Sequence, residues 1–177
     1  MPPCRWCVRY RTTAVRIEEE IGAILRERGM RLATAESCTG GLLGHLITNV
    51  PGSSDYYDRG VVTYSDAAKE ELLGVARGIL ERHGAVSEEA ARAMAEGLRR
   101  ASRADVAVSI TGIAGPSGGS RQKPIGLVYI ALATPKGTRC IRNQFCGNRE
   151  DIKRHSALKA LELILHYLTD DTPAEAR

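Results

Sequence analysis

Three short apolar runs, at residues 31–35, 60–64 and 106–110, alternate with longer segments whose apolar residues recur every three or four positions. The first pattern is that of a buried strand and the second that of an amphipathic helix. Strands joined by helical crossovers run parallel, and a parallel sheet needs helices on both faces. Two further runs, 125–133 and 138–145, flank Thr134-Pro135-Lys136-Gly137, a hairpin signal. A hairpin is antiparallel. The sheet is therefore predicted to be mixed and mostly parallel, in a three-layer α/β/α sandwich.

The helices read as follows. Residues 14–28 carry Ile17, Ile21, Ile24 and Leu25 on one face, with Gly29 as a stop. A second helix is expected over 39–50, ended by Pro51-Gly52. Ser65 or Asp66 caps a third, which bears Lys69, Leu72 and Leu73. A short one at 76–83 precedes a helix capped by Ser87, with Ala90, Met94, Ala95 and Leu98 on one side. The last spans about 149–168.

A chain of 177 residues, 43% hydrophobic and 26% charged, suits a single soluble domain, here 14–170, with a frayed tail at 171–177. No apolar run reaches the ~18 residues of a membrane span, and the N-terminus lacks a signal-type apolar core, so no membrane partner and a cytoplasmic location are expected. The net charge of +4 is matched by Arg5, Arg9, Arg11 and Arg16 alone, the only charged side chains of residues 1–16. The remaining body is neutral, which argues against a nucleic-acid partner. Residues 1–13 read as a dispensable basic extension. Cys4-x-x-Cys7 has the spacing of half a zinc site, but nothing completes it, and no metal is expected.

Chemistry concentrates where strands end. Thr34-Ala35-Glu36-Ser37-Cys38-Thr39-Gly40-Gly41 leads from the first strand toward a helix. The unpaired N–H groups of a helix N-terminus suit an anion or a developing oxyanion. Ser37 is thus either a cap or a nucleophile. Tyr64 and Lys69 follow the second strand, and Thr111-Gly112 closes the third, beginning a glycine-rich loop. In a parallel arrangement all of these reach the carboxyl edge of the sheet, where α/β proteins bind ligands. None of the four histidines lies in these loops, so Lys69 is the remaining base for Ser37. Cys38 is the intrinsically more reactive rival, or a small buried packing residue. Tyr64 can relay a proton, stack on a flat ring, or simply pack. Arg149, at the head of the last helix, is badly placed for the helix dipole and hints at an anionic partner.

The segments 35–41, 51–54 and 60–65, together with Lys69 and the stretch 109–116, resemble the CinA C-terminal domain family in order along the chain. The resemblance covers about 17–168 and is strongest to the family's stand-alone nicotinamide mononucleotide deamidases. It implies a mixed five- to six-stranded sheet, a homodimer, and cofactor- and metal-free hydrolysis of nicotinamide mononucleotide to nicotinate mononucleotide and ammonia. Ser37 matches the family nucleophile, Lys69 the base and Tyr64 a further catalytic position. Thr39, Gly40, Gly41, Ser53, Ser54, Thr111, Gly112 and Arg149 fall where substrate would be held. Ser117, Ser120 and Asn148 depart from the family pattern. The alternative is a catalytically silent nucleotide-binding or protein-interaction module. A dinucleotide site is disfavoured, because Gly112-x-x-Gly115 lacks the full glycine fingerprint and its helix.

Overall fold

A computed structural model describes residues 16–170; the basic extension at 1–13 with Cys4 and Cys7, and the tail at 171–177, lie outside the described residues. The elements are α1 (Ile17–Glu27), β1 (Leu32–Glu36), α2 (Leu42–Thr48), β2 (Tyr57–Val62), α3 (Asp66–Leu73), α4 (Arg77–His83), α5 (Glu88–Ser102), β3 (Val106–Gly112), β4 (Leu127–Thr134), β5 (Gly137–Gln144) and α6 (Arg149–Asp170). They form one five-stranded sheet of order β2-β1-β3-β4-β5. β1 pairs in parallel with β2 and β3, whereas β4 is antiparallel to both its neighbours. Only β4 runs against the rest, so the sheet is mixed and mostly parallel, as expected.

Period-two alternation divides the strands between two cores. Leu32, Val106, Val108, Ile110, Val128, Ile130 and Leu132 face α1, α2 and α6. Ala33, Ala35 and Ala107 face the other way, against Leu73, Leu80, Met94 and Leu98 of α3, α4 and α5. The second face is lined by small side chains, and Ala131 and Ala133 meet Ala91 and Ala95 in the same way. Small residues on both sides let the helix layer sit close to the sheet. The helix layer is tight as well. A Cβ on Gly97 of α5 would lie 1.8 Å from the Leu73 carbonyl oxygen, so glycine is what allows α3 and α5 to touch.

Three boundaries differ from the sequence reading, each for a tertiary reason. β2 starts at Tyr57, because Leu32 pairs with Tyr57 and the Tyr57 hydroxyl meets Thr34 Oγ1 at 2.6 Å. β3 continues through Thr111 and Gly112, which pair with Tyr129 and Val128 instead of opening the loop. The helix expected from residue 39 begins only at Leu42. Gly40 and Gly41 take positive φ of 63° and 95° and make a turn before it. Ser65 is the observed cap of α3, accepting from the Ala68 N–H at 3.1 Å.

The close approach of α3 and α5 is testable. Gly97→Ala is expected to destabilise the protein by about 3 kcal/mol, since the obstruction is backbone and cannot swing away. At about 2–4 °C per kcal/mol for a domain of this size, the melting temperature falls by about 6–12 °C in calorimetry. Gly78→Ala in α4, where the nearest foreign atom would be the Arg82 guanidinium at 3.8 Å, is expected to leave stability unchanged or raise it.

Candidate active site

The chain leaves β1 on one face of the sheet through α2 and leaves the adjacent β2 on the other face through α3, α4 and α5. Neighbouring strands whose connections diverge leave a crevice at their carboxyl ends. Ser37 stands at the end of β1, and Thr63, Tyr64 and Lys69 follow β2. The strand ends are sewn together by backbone bonds: Thr63 N–H donates to Glu36 O at 2.8 Å, and Ser37 N–H to Ile110 O at 2.9 Å. β5 returns to the same edge, so α6 also starts here and brings Arg149 with it.

The turn after Ser37 is organised by Glu36. Its carboxylate is almost fully buried and accepts from the N–H groups of Gly41 at 3.0 Å, Leu43 at 3.1 Å and Gly44 at 2.8 Å. A carboxylate at a helix N-terminus satisfies orphan donors and complements the dipole. Two of the amides in the turn Thr39–Gly41 are therefore already engaged within the chain. The Gly41 N–H is held by Glu36, and that of Gly40 closes on Ser37 O at 3.1 Å. The Thr39 N–H has no acceptor among the described residues, and the Cys38 N–H meets only its own thiol. Glu36 was the functional residue not singled out from sequence, although its place ahead of a glycine turn was a usable signal.

Ser37 is 8% exposed, and its hydroxyl makes no hydrogen bond within the described residues. Cys38 is buried among core residues, and that burial pushes its thiol up to about 12. It packs as a core residue, and its burial opposes the thiolate form that nucleophilic attack requires.

Lys69 is 1% exposed. Its ammonium nitrogen donates to the carbonyls of Thr63 at 3.0 Å and Ser65 at 3.3 Å. Burial lowers its pKa, opposed by Asp66 at 3.9 Å and by Cys38. A neutral amine has two N–H bonds and one lone pair. With both N–H bonds spent on the carbonyls, the lone pair is free to accept a proton. Lys69 and Ser37 are not hydrogen-bonded to each other, but both lie at the paired ends of β1 and β2.

Tyr64 is 60% exposed, and its hydroxyl accepts from Arg149 at 2.8 Å. Arg149 also donates to the Gly115 carbonyl at 2.7 Å, tying the glycine-rich loop to the tyrosine. The Thr111 hydroxyl donates to Ala85 O at 2.8 Å. Gly112 lies where a Cβ would come within 2.6 Å of Val128. Both therefore stabilise the edge. Ser53 and Ser54 are not brought to it. They sit in a 3₁₀ turn, Ser53–Asp55, between the far end of α2 and the start of β2. Arg26 binds that turn through Asp55 at 3.1 Å and Gly52 O at 3.2 Å. A connection from α2 back to β2 must lie at the amino edge, which is why the loop is remote from Ser37.

The model of the CinA C-terminal domain matches residues 14–168. The chain belongs to this family. A CinA-like protein of Syntrophobacter fumaroxidans is 53% identical over 161 residues, covering 91% of this chain and 38% of the relative. A CinA-like protein of an Anaeromyxobacter species is 52% identical over 151 residues, covering 83% of this chain and 37% of the relative. The chain thus spans less than half the length of these curated relatives. Among solved structures, a CinA superfamily protein from Klebsiella pneumoniae superposes with a TM-score of 0.84 at 35% identity, over 87% of this chain and 96% of that one. The competence/damage inducible protein CihA from Agrobacterium tumefaciens gives 0.80 at 39% identity, over 90% and 99%. The same α/β fold is therefore common to this CinA-family chain and its relatives.

Two substitutions probe this site. Glu36→Ala is expected to cost about 3 kcal/mol, because it strands several buried N–H donors at about 1–3 kcal/mol each, read as a lower midpoint in urea. Asp66→Asn removes the carboxylate that holds the Lys69 pKa up. A lower pKa leaves more free amine at a given pH. If Lys69 is the base, the acidic limb of the kcat/KM profile shifts to lower pH.

Proposed function

We propose that this CinA-family chain is an amidohydrolase acting on a pyridine mononucleotide, converting nicotinamide mononucleotide and water to nicotinate mononucleotide and ammonia. The observation that carries the reading is Lys69, a lysine 1% exposed whose pKa is lowered by burial, against the opposing pull of an exposed Asp66 at 3.9 Å, at the crevice that also holds an unpaired serine hydroxyl. Burying a lysine costs stability, and groups perturbed in this way cluster at functional sites.

In this reading the Lys69 amine takes the Ser37 proton as Oγ adds to the carboxamide carbon. The developing oxyanion faces the N–H groups of Cys38 and Thr39. Collapse breaks the C–N bond, and Lys69 gives its proton to the nitrogen, which leaves as ammonia. Water then adds to the acyl-serine, losing its proton to Lys69 and releasing nicotinate mononucleotide and free Ser37. The cationic pyridinium draws electrons from the amide carbonyl. Tyr64, exposed and held at its hydroxyl by Arg149, offers a flat face to the ring.

The second reading, a nucleotide-binding module without chemistry, is favoured by the missing Ser37–Lys69 hydrogen bond. Ammonia release from nicotinamide mononucleotide separates the two. Ser37→Ala and Lys69→Met are expected to lower kcat by at least about 10²-fold without loss of folding. Cys38→Ala keeps turnover. Nucleotide binding by the wild type without ammonia release supports the module instead, and undiminished turnover by Ser37→Ala rejects the dyad.

A further inference from the structure

Arg149 is not the only cation that α6 carries to this edge. Lys153 follows it by one helical turn, on the same side of the helix. Its ammonium lies over the Ser37 turn: a Cβ on Gly40 would be 3.8 Å from Lys153 Nζ. Arg149 and Lys153 each lower the pKa of Cys38, so both positive charges are felt inside the turn.

The two cations are not equivalent. Arg149 is committed, with one guanidinium nitrogen on Tyr64 and another on Gly115 O. Lys153 has no hydrogen-bond or ion-pair partner among the described residues, although it is only partly exposed. In the same turn, next to Gly40 in sequence, the Thr39 hydroxyl is fully buried and also without a partner among the described residues. Glycine at position 40, with φ of 63°, keeps the space between the ammonium and the turn open. A half-buried ammonium and an unpaired hydroxyl both lack the same thing, an anionic acceptor. The Gly40-to-Ser37 hydrogen bond closes a turn, which keeps their Cα atoms within about 7 Å. A mononucleotide likewise carries its phosphate and its reactive amide at opposite ends of one ribose.

We infer that Lys153 is a specificity-determining residue that receives the phosphomonoester end of the substrate and selects a nucleotide over its unphosphorylated nucleoside. The inference rests on the proposed deamidase reading for the substrate. One arm of its test, binding to a non-reacting variant, does not depend on turnover. Lysine suits this role as a mobile point charge, whereas Arg149 is held in a fixed bidentate geometry.

The test compares nicotinamide mononucleotide with nicotinamide riboside. In Lys153→Met, the ratio of kcat/KM for the mononucleotide to that for the riboside is expected to fall about 10- to 100-fold, the loss of one charge-assisted contact. Lys153→Arg recovers part of the ratio. The second arm is calorimetric titration of Ser37→Ala protein, which binds without reacting. There, adding Lys153→Met weakens mononucleotide binding by the same factor and changes riboside binding little. An unchanged ratio, or equal losses for both ligands, overturns the inference, because the ammonium then acts on the reacting centre or on neither. Wild-type protein that releases no ammonia, yet binds mononucleotide in a Lys153-dependent way, rejects the deamidase reading and retains the phosphate site.

Discussion

Glu36 is the residue on which the geometry of this edge depends. As the last residue of β1 it is paired on both sides, with Val62 and with Ile110. Its side chain meanwhile gathers the first amides of α2. One residue thus belongs to the sheet through its backbone and to the helix through its carboxylate. The turn between the two has no freedom left. Ser37 follows immediately, so its position is inherited from that double attachment. The two positive-φ glycines are the local condition for it, since only they let the chain curl back far enough for Glu36 to reach α2.

The crevice is also the place where the fold departs from easy packing. Elsewhere the cores are aliphatic and small-residue surfaces meeting at close range. Here a lysine is buried against carbonyl oxygens, Thr39 and Thr63 keep unpaired buried hydroxyls, and a nucleophile-type serine is left without a partner. A folded domain tolerates such groups only where the surrounding sheet over-determines them, and central strands supply that rigidity. A buried amine and an open hydroxyl beside an unpaired amide are the groups that the proposed acyl transfer would use.

Much of this was legible in the residues. The Ser65 and Ser87 caps, the alternation of small and large residues in β3, and the hairpin between β4 and β5 all follow from local chemistry. That Ser37, Tyr64 and Lys69 follow strands ending at one edge of the sheet came from parallel strand direction alone. Other features were not legible. The engagement of Gly41 N–H by Glu36 is a contact of five residues' separation, hidden in a turn that reads locally as a helix start. The remoteness of Ser53 and Ser54 depends on where α2 ends. Lys153 reads as one more charge on a helix, and only the return of β5 to the carboxyl edge sets α6 over Gly40.

The residues by themselves determined the layer architecture, the strand directions, the family and the residue types at the candidate site. Those are consequences of periodicity, turn chemistry and motif order, all short-range properties of a chain. The tertiary structure decided which donors stay free, which lysine is stripped of water and which cation is left unpaired. Each of these depends on groups distant in sequence competing for the same amide, carbonyl or carboxylate. Such competition is resolved only when the strands are assembled side by side.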